Sequence, residues 1–176
     1  MIISESEDEE LLYNVALKPY VKEYTSQQNR SSQILDVTTI TASSLDDFKT
    51  KLWTHFSRYV HRAATIEEDN FGIEEDEPTT LDLDRFIVFK RNNRFTNPGQ
   101  ITVAILHSMS SATQPTLTNV FKYSDKLVSK EHWTKFNQRV LQPAFQDRSG
   151  AAEDATFREI VDRLLARHSQ QHTSRA

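Results

Sequence analysis

The stretch FIVFKRNNRF, residues 86–95, decides how this chain is read. It runs apolar residues into Lys90, Arg91 and Arg94 around Asn92-Asn93, a turn-compatible pair. On a strand, side chains alternate, so Phe86, Val88 and Lys90 share one face while Ile87, Phe89 and Arg91 share the other. Both faces then carry apolar residues. Aromatic rings on an open sheet face with cations beside them can stack nucleic-acid bases. The same residues also suit a protein-docking surface. Thirdly, they suit a plain hairpin whose Lys and Arg give solubility and protect an edge.

Working outward, LDLDRFIVFKR (81–91) and ITVAILHSM (101–109) read as two strands, with 92–99 as the connection of a hairpin. Upstream, LLYNVAL (11–17) alternates like a strand that can continue past Pro19 if it lies at an edge or bend. QILDVTTIT (33–41) is β-branched and reads as the next strand. The helix is plainer. Ser43 or Ser44 caps it, Asp46 and Asp47 suit its first turn, and Leu45, Phe48, Leu52, Phe56, Tyr59 and Val60 make an apolar stripe over 44–63. Residues 65–80 read as a long acidic loop, 110–119 as loop, and 120–128 are ambiguous. Ser129 opens a helix carrying Trp133, Phe136 and Val140, which Pro143 should stop near Gln142. A last helix is expected from about Ala152 to His168, with Phe157, Ile160, Val161, Leu164 and Leu165 as its stripe.

The expected fold class is therefore α+β. A β-grasp-like mixed sheet packs on one long helix in two layers, with two additional C-terminal helices. In domain terms, 1–10 is an acidic disordered tail and 11–146 an α+β interaction domain with the acidic loop 65–80. Residues 147–168 form a C-terminal helix packed on that domain or on a partner, and 169–176 a second disordered tail.

Totals narrow the function. The chain has 176 residues and no cysteine, which removes disulfides, thiol catalysis and Cys-type zinc sites, and fits an intracellular place, cytoplasmic or nuclear. MIISESEDEE is acidic where a secretory signal is basic and then apolar, and no apolar run approaches the roughly 20 residues of a membrane span. The net charge of −4 hides two blocks. Residues 67–84 carry nine acids and no Lys or Arg; from Arg85 to Arg148 cations dominate.

Catalytic chemistry finds little support. His55 and His61 lie on different faces of one helix, and His168 and His172 have no acidic companion, so no metal set assembles. His107 and Ser108, adjacent on an expected strand, point to opposite faces. Three glycines make no phosphate loop, and EEDNFGIEEDE misses the calcium-loop spacing. No catalytic residue, metal or cofactor is expected. The candidate binding residues are Arg58 and Arg62 on the helix with Phe86, Phe89, Lys90, Arg91 and Arg94 on the hairpin. The acidic loop is a possible internal screen for that basic hairpin.

The order strand, strand, helix, hairpin, from Tyr13 to Leu106, resembles the ubiquitin-like β-grasp and the small adaptor domains built on it. That resemblance implies binding rather than catalysis. A fainter likeness is to small α+β domains of mobile-element or effector proteins. The reading is a non-enzymatic protein–protein interaction module, with a possible homodimer through the C-terminal helix. The alternative is a nucleic-acid-binding domain of a mobile-element or regulatory protein using the basic hairpin 85–94.

Overall fold

The computed structural model describes residues 12–145. The expected tails, the helix over 147–168 and a dimer built on it lie outside the described residues. The chain divides into two compact units, one ending at Trp133 and the other beginning at Thr134.

The first unit is built on a mixed sheet. Strand β1 (Tyr13–Lys22) is flanked on one side by β2 (Gln33–Ile34) and β3 (Thr38–Ala42), both antiparallel to it. On its other side lies β8 (Thr116–Phe121), parallel to β1 from Leu17↔Thr116 to Lys22↔Phe121. Beyond β8 come β6 (Ile87–Arg91) and β7 (Arg94–Thr96), each antiparallel to its neighbour. The first and last sheet strands in sequence thus sit side by side at the centre, with a hairpin at either edge. The expected mixed α+β sheet is present, but its central strand β8 begins inside 110–119, which the sequence suggested was loop.

Pro19 lies inside the sheet, not at an edge. Its carbonyl accepts from the Leu35 N–H at 3.1 Å, so the missing amide hydrogen faces the same neighbour. There the register slips by one residue between β2 and β3. The slip is a bulge, which removes the need for a donor at Pro19 and splits the expected 33–41 strand in two.

Helix α1 (Leu45–Phe56) closes one face of the sheet. The Ser44 hydroxyl accepts from the Asp47 N–H at 3.0 Å, and the Asp47 carboxylate accepts from Ser43 N–H at 2.9 Å. Phe48, Leu52 and Phe56 are fully buried against Val15, Leu17, Val21, Ile87, Phe89 and Val120. Burying rings of this size is the main stabilising term of the unit. Thr116 and Thr118 are polar residues on that buried face; the Thr118 hydroxyl donates to the Thr116 carbonyl at 3.1 Å.

Further expectations change. The long helix ends at Phe56, followed by a 3-10 turn over Ser57–Tyr59. The acidic loop contains a hairpin of its own, β4 (Ala64–Glu67) and β5 (Asn70–Ile73), with Glu68 at φ 56° in the turn. The front of the expected 81–91 strand is helical: Thr79 caps a 3-10 turn over Thr80–Asp82, and α2 (Leu83–Phe86) follows. Most consequentially, 101–109 is α3 (Val103–Ser111), a helix whose Thr102 hydroxyl accepts from the Ile105 N–H at 3.2 Å. Leu106 and Met109 of α3 are buried in the same core.

Helix α4 (Lys130–Phe136) starts after Ser129 as expected, its hydroxyl accepting from the His132 N–H at 3.1 Å. Pro143 does not stop it. The chain widens into a π-helical stretch over Asn137–Leu141 and stays helical to Phe145. A widened turn gives the proline ring room against the carbonyl four residues before it.

Candidate binding surface

The hairpin β6–β7 turns on two residues. Asn92 has φ 49° and Asn93 φ 63°, the pair of left-handed residues that a type I′ turn requires and that Asn tolerates. The tight turn fixes register: Phe89 faces Thr96, Lys90 faces Phe95, and Arg91 faces Arg94. Lys90 and Phe95 therefore occupy one side of the sheet, Arg91 and Arg94 the other.

The Lys90 side is the face away from α1. Cross-strand register lines up Lys18 of β1, Leu117 of β8, Lys90 of β6 and Phe95 of β7 as one row. Lys18, Lys90 and Phe95 are exposed and Leu117 is half-buried. Phe95 is 63% exposed, high for so large a ring, and the Lys90 ammonium lies 5.7 Å from its centroid. Lys18 covers the Tyr20 ring at 5.9 Å. The next rows down, Tyr20–Asn119–Val88 and Lys22–Phe121, are buried. Burial pushes the Lys22 ammonium below the usual lysine range, and the charge of Lys90 adds to that. The row is thus a cationic rim around an apolar centre.

On the α1 side, Arg91 reaches α3. Its guanidinium donates to the Ser108 hydroxyl at 2.8 Å. Among the described residues, none of Lys18, Lys90, Arg91 and Arg94 is in an ion pair.

The two aromatic candidates move to the core. Phe86 and Phe89 are both 0% exposed. Phe86 is the last residue of α2, so strand alternation does not govern it; its ring lies 6.3 Å from Trp53. Phe89 points at α1, 6.3 Å from Phe48. Neither ring can stack on a base or meet a partner. The exposed aromatic of the hairpin is Phe95, which sequence reasoning passed over. The signal for it was available: it follows the Asn-Asn turn by two residues and so falls opposite Lys90.

The basic residues also divide. Arg58 lies over the ring of Tyr59 at 5.4 Å and donates to the His55 carbonyl at 3.3 Å. Arg62 pairs with Glu77 at 3.9 Å. None of these contacts reaches the hairpin. Arg85 binds Glu74 at 2.7 Å and Asp82 at 3.3 Å. Its hydrogen bond holds the Glu74 carboxyl below the usual range, and the pairing raises Arg85 in turn. The acidic segment thus screens Arg62 and Arg85, leaving Lys90, Arg91 and Arg94 out of its ion pairs.

A pocket of about 520 Å³ opens beside that segment, lined by Ala63, Glu74, Asp76, Glu77, Thr79, Asp82 and Arg85. Its charges are largely satisfied internally. No group of three or more His, Asp or Glu among the described residues could hold a metal ion, and no described helix is long and apolar enough to cross a membrane. His107 and Ser108 are neighbours on a helix, about 100° apart around its axis. His107 meets Tyr13 edge-on at 6.4 Å while Ser108 meets Arg91, so they form no nucleophile–base pair.

The fold and surface define an α+β domain on a six-stranded mixed sheet that presents a basic hairpin with an exposed ring. No family model, curated protein or solved structure matches the chain.

Proposed function

We propose that the chain is a non-enzymatic protein-interaction module of adaptor type, docking an acidic segment of a partner protein on the row Lys18–Leu117–Lys90–Phe95. The observation that carries this is Phe95: a 63% exposed ring held beside an ammonium that has no carboxylate partner among the described residues. A large exposed aromatic is the kind of anchor that protein interfaces bury. The resemblance to ubiquitin-like β-grasp domains points the same way by fold analogy. An intracellular setting, cytoplasmic or nuclear, accords with a chain without cysteine.

The test is capture of partners by the full chain, with and without nuclease, beside a Lys90→Glu plus Phe95→Ser variant. Protein partners that survive nuclease and are lost with the variant support the reading. Binding that disappears with nuclease, and weakens steeply with salt, favours a nucleic-acid-binding domain instead.

A further inference from the structure

The other side of the hairpin holds an arrangement that the docking row does not use. Arg91 and Arg94 are direct cross-strand partners at the turn. Like charges placed directly opposite on a sheet are destabilising unless something lies between them. Arg91 is half-buried, Arg94 exposed, and neither has a carboxylate among the described residues. The partner Arg91 does have is the neutral hydroxyl of Ser108, at 2.8 Å. A guanidinium carries five N–H donors, so most of those on both arginines stay available, and the Ser108 hydroxyl keeps its hydrogen while its oxygen accepts. Donors thus gather here from β6, β7 and α3.

We propose that Arg91, Arg94 and Ser108 form a subsite for a phosphoryl group, carried on a phosphorylated segment of the partner protein. This rests on the protein-docking reading above and adds the chemistry of the ligand. Two guanidinium forks and a hydroxyl outnumber the lone pairs a single carboxylate can present, while a phosphoryl group offers three strong acceptor oxygens. A nucleic-acid backbone fits less well. It needs a continuous track of cations, and the next ones, Lys90 and Lys18, stand on the opposite side of the sheet.

Inorganic phosphate is the first probe. It is titrated into the isotope-labelled full chain at constant ionic strength, and the Ser108 amide and the arginine side-chain N–H resonances are followed. Saturable shifts in the millimolar range are expected. Arg94→Ala should weaken them by about tenfold or more, as loss of a charge-assisted hydrogen bond does. Ser108→Ala keeps the helix, because alanine is the best helix former, and should weaken them by a smaller factor. Binding should also fall as pH drops through the second ionisation of inorganic phosphate, which lies above the ~6 of a phosphoryl ester. Shifts that never saturate, or that both variants leave unchanged, overturn the subsite. That failure leaves the docking row standing, because Lys90→Glu plus Phe95→Ser tests it separately. A second arm adds single-stranded oligonucleotides. Competition with phosphate that strengthens with oligonucleotide length overturns the assignment to a phosphorylated protein.

Discussion

Two phenylalanines in one hairpin should behave as opposites. Phe89 is 0% exposed and meets Phe48 across the core; Phe95 is 63% exposed and meets Lys90. Replacing a fully buried Phe by Ala costs about 3–5 kcal/mol, from lost transfer energy and the cavity left behind. For Phe95 only about a third of the ring's burial is at stake. Out of ~1.5–3 kcal/mol for a fully buried ring, that is about 0.5–1 kcal/mol, with about 0.5–1 kcal/mol more for the exposed cation–π contact. At ~2–4 °C per kcal/mol for a chain of this size, Phe89→Ala should lower Tm by about 6–20 °C and Phe95→Ala by about 2–8 °C. Urea unfolding with unchanged m-values, checked by calorimetry, reads both. The functional readout should invert the order: Phe95→Ala removes partner binding from a folded protein. Equal stability losses for the two variants would refute the assignment of one ring to the core and the other to the surface.

Other expectations are cheaper to test. Asn93→Val forces a β-branched residue into φ 63° and should destabilise by about 1–2 kcal/mol in urea unfolding, whereas Asn93→Gly should not. Ser44→Ala removes the cap of α1 and should cost about 1 kcal/mol, seen as a lower denaturation midpoint. The pH profile of stability should fall on the acid side of about 6.5. Burial, then Lys122, lowers the His61 pKa below its ordinary value, so between the two values the unfolded chain binds more protons. Stability is full above the ordinary histidine value and is lost as pH falls from there towards the folded one. His61→Phe, which keeps a flat ring over Tyr123 at the 5.1 Å stacking position, should flatten part of that slope. His55, lowered by burial and then Arg58, accounts for another part.

What the sequence made legible was whatever had a strong period or a plain cap. The α1 stripe Phe48–Leu52–Phe56 and the Ser44 cap could be read directly, and with β1 they set the layer arrangement. The errors share a cause: short apolar runs do not declare their period. ITVAILHSM looks like a strand because it is rich in β-branched residues, yet Thr102 caps a helix from which Leu106 and Met109 reach the core, while Ile101 reaches it from the extended residue before the cap. Having spent the second hairpin strand there, the reading missed the three-residue β7 directly after the turn. That hid Phe95 and left Phe86 and Phe89 as the candidates. Acidity misled in the same way at 65–80, where charge suggested loop although ATIE and NFGI pair across a two-residue turn. Ser108 was invisible as a partner of Arg91 because only α3, folded back on the sheet, brings them within 2.8 Å.

The parallel pairing of β1 with β8 has a consequence for how the protein is made. Leu17 must find Thr116, a partner synthesised about a hundred residues later. At about 5–20 residues per second, β1 waits on the order of 5–20 s after leaving the ribosome before its central neighbour exists. During that time β2, β3 and the helices α1 and α3 can pack against it, but β6 and β7 have no strand that joins them to it. The sheet therefore closes late, as a single step that joins both ends of the fold. Nascent chains arrested before β8 should be protease-sensitive throughout, and those arrested after it has cleared the exit tunnel should become resistant together.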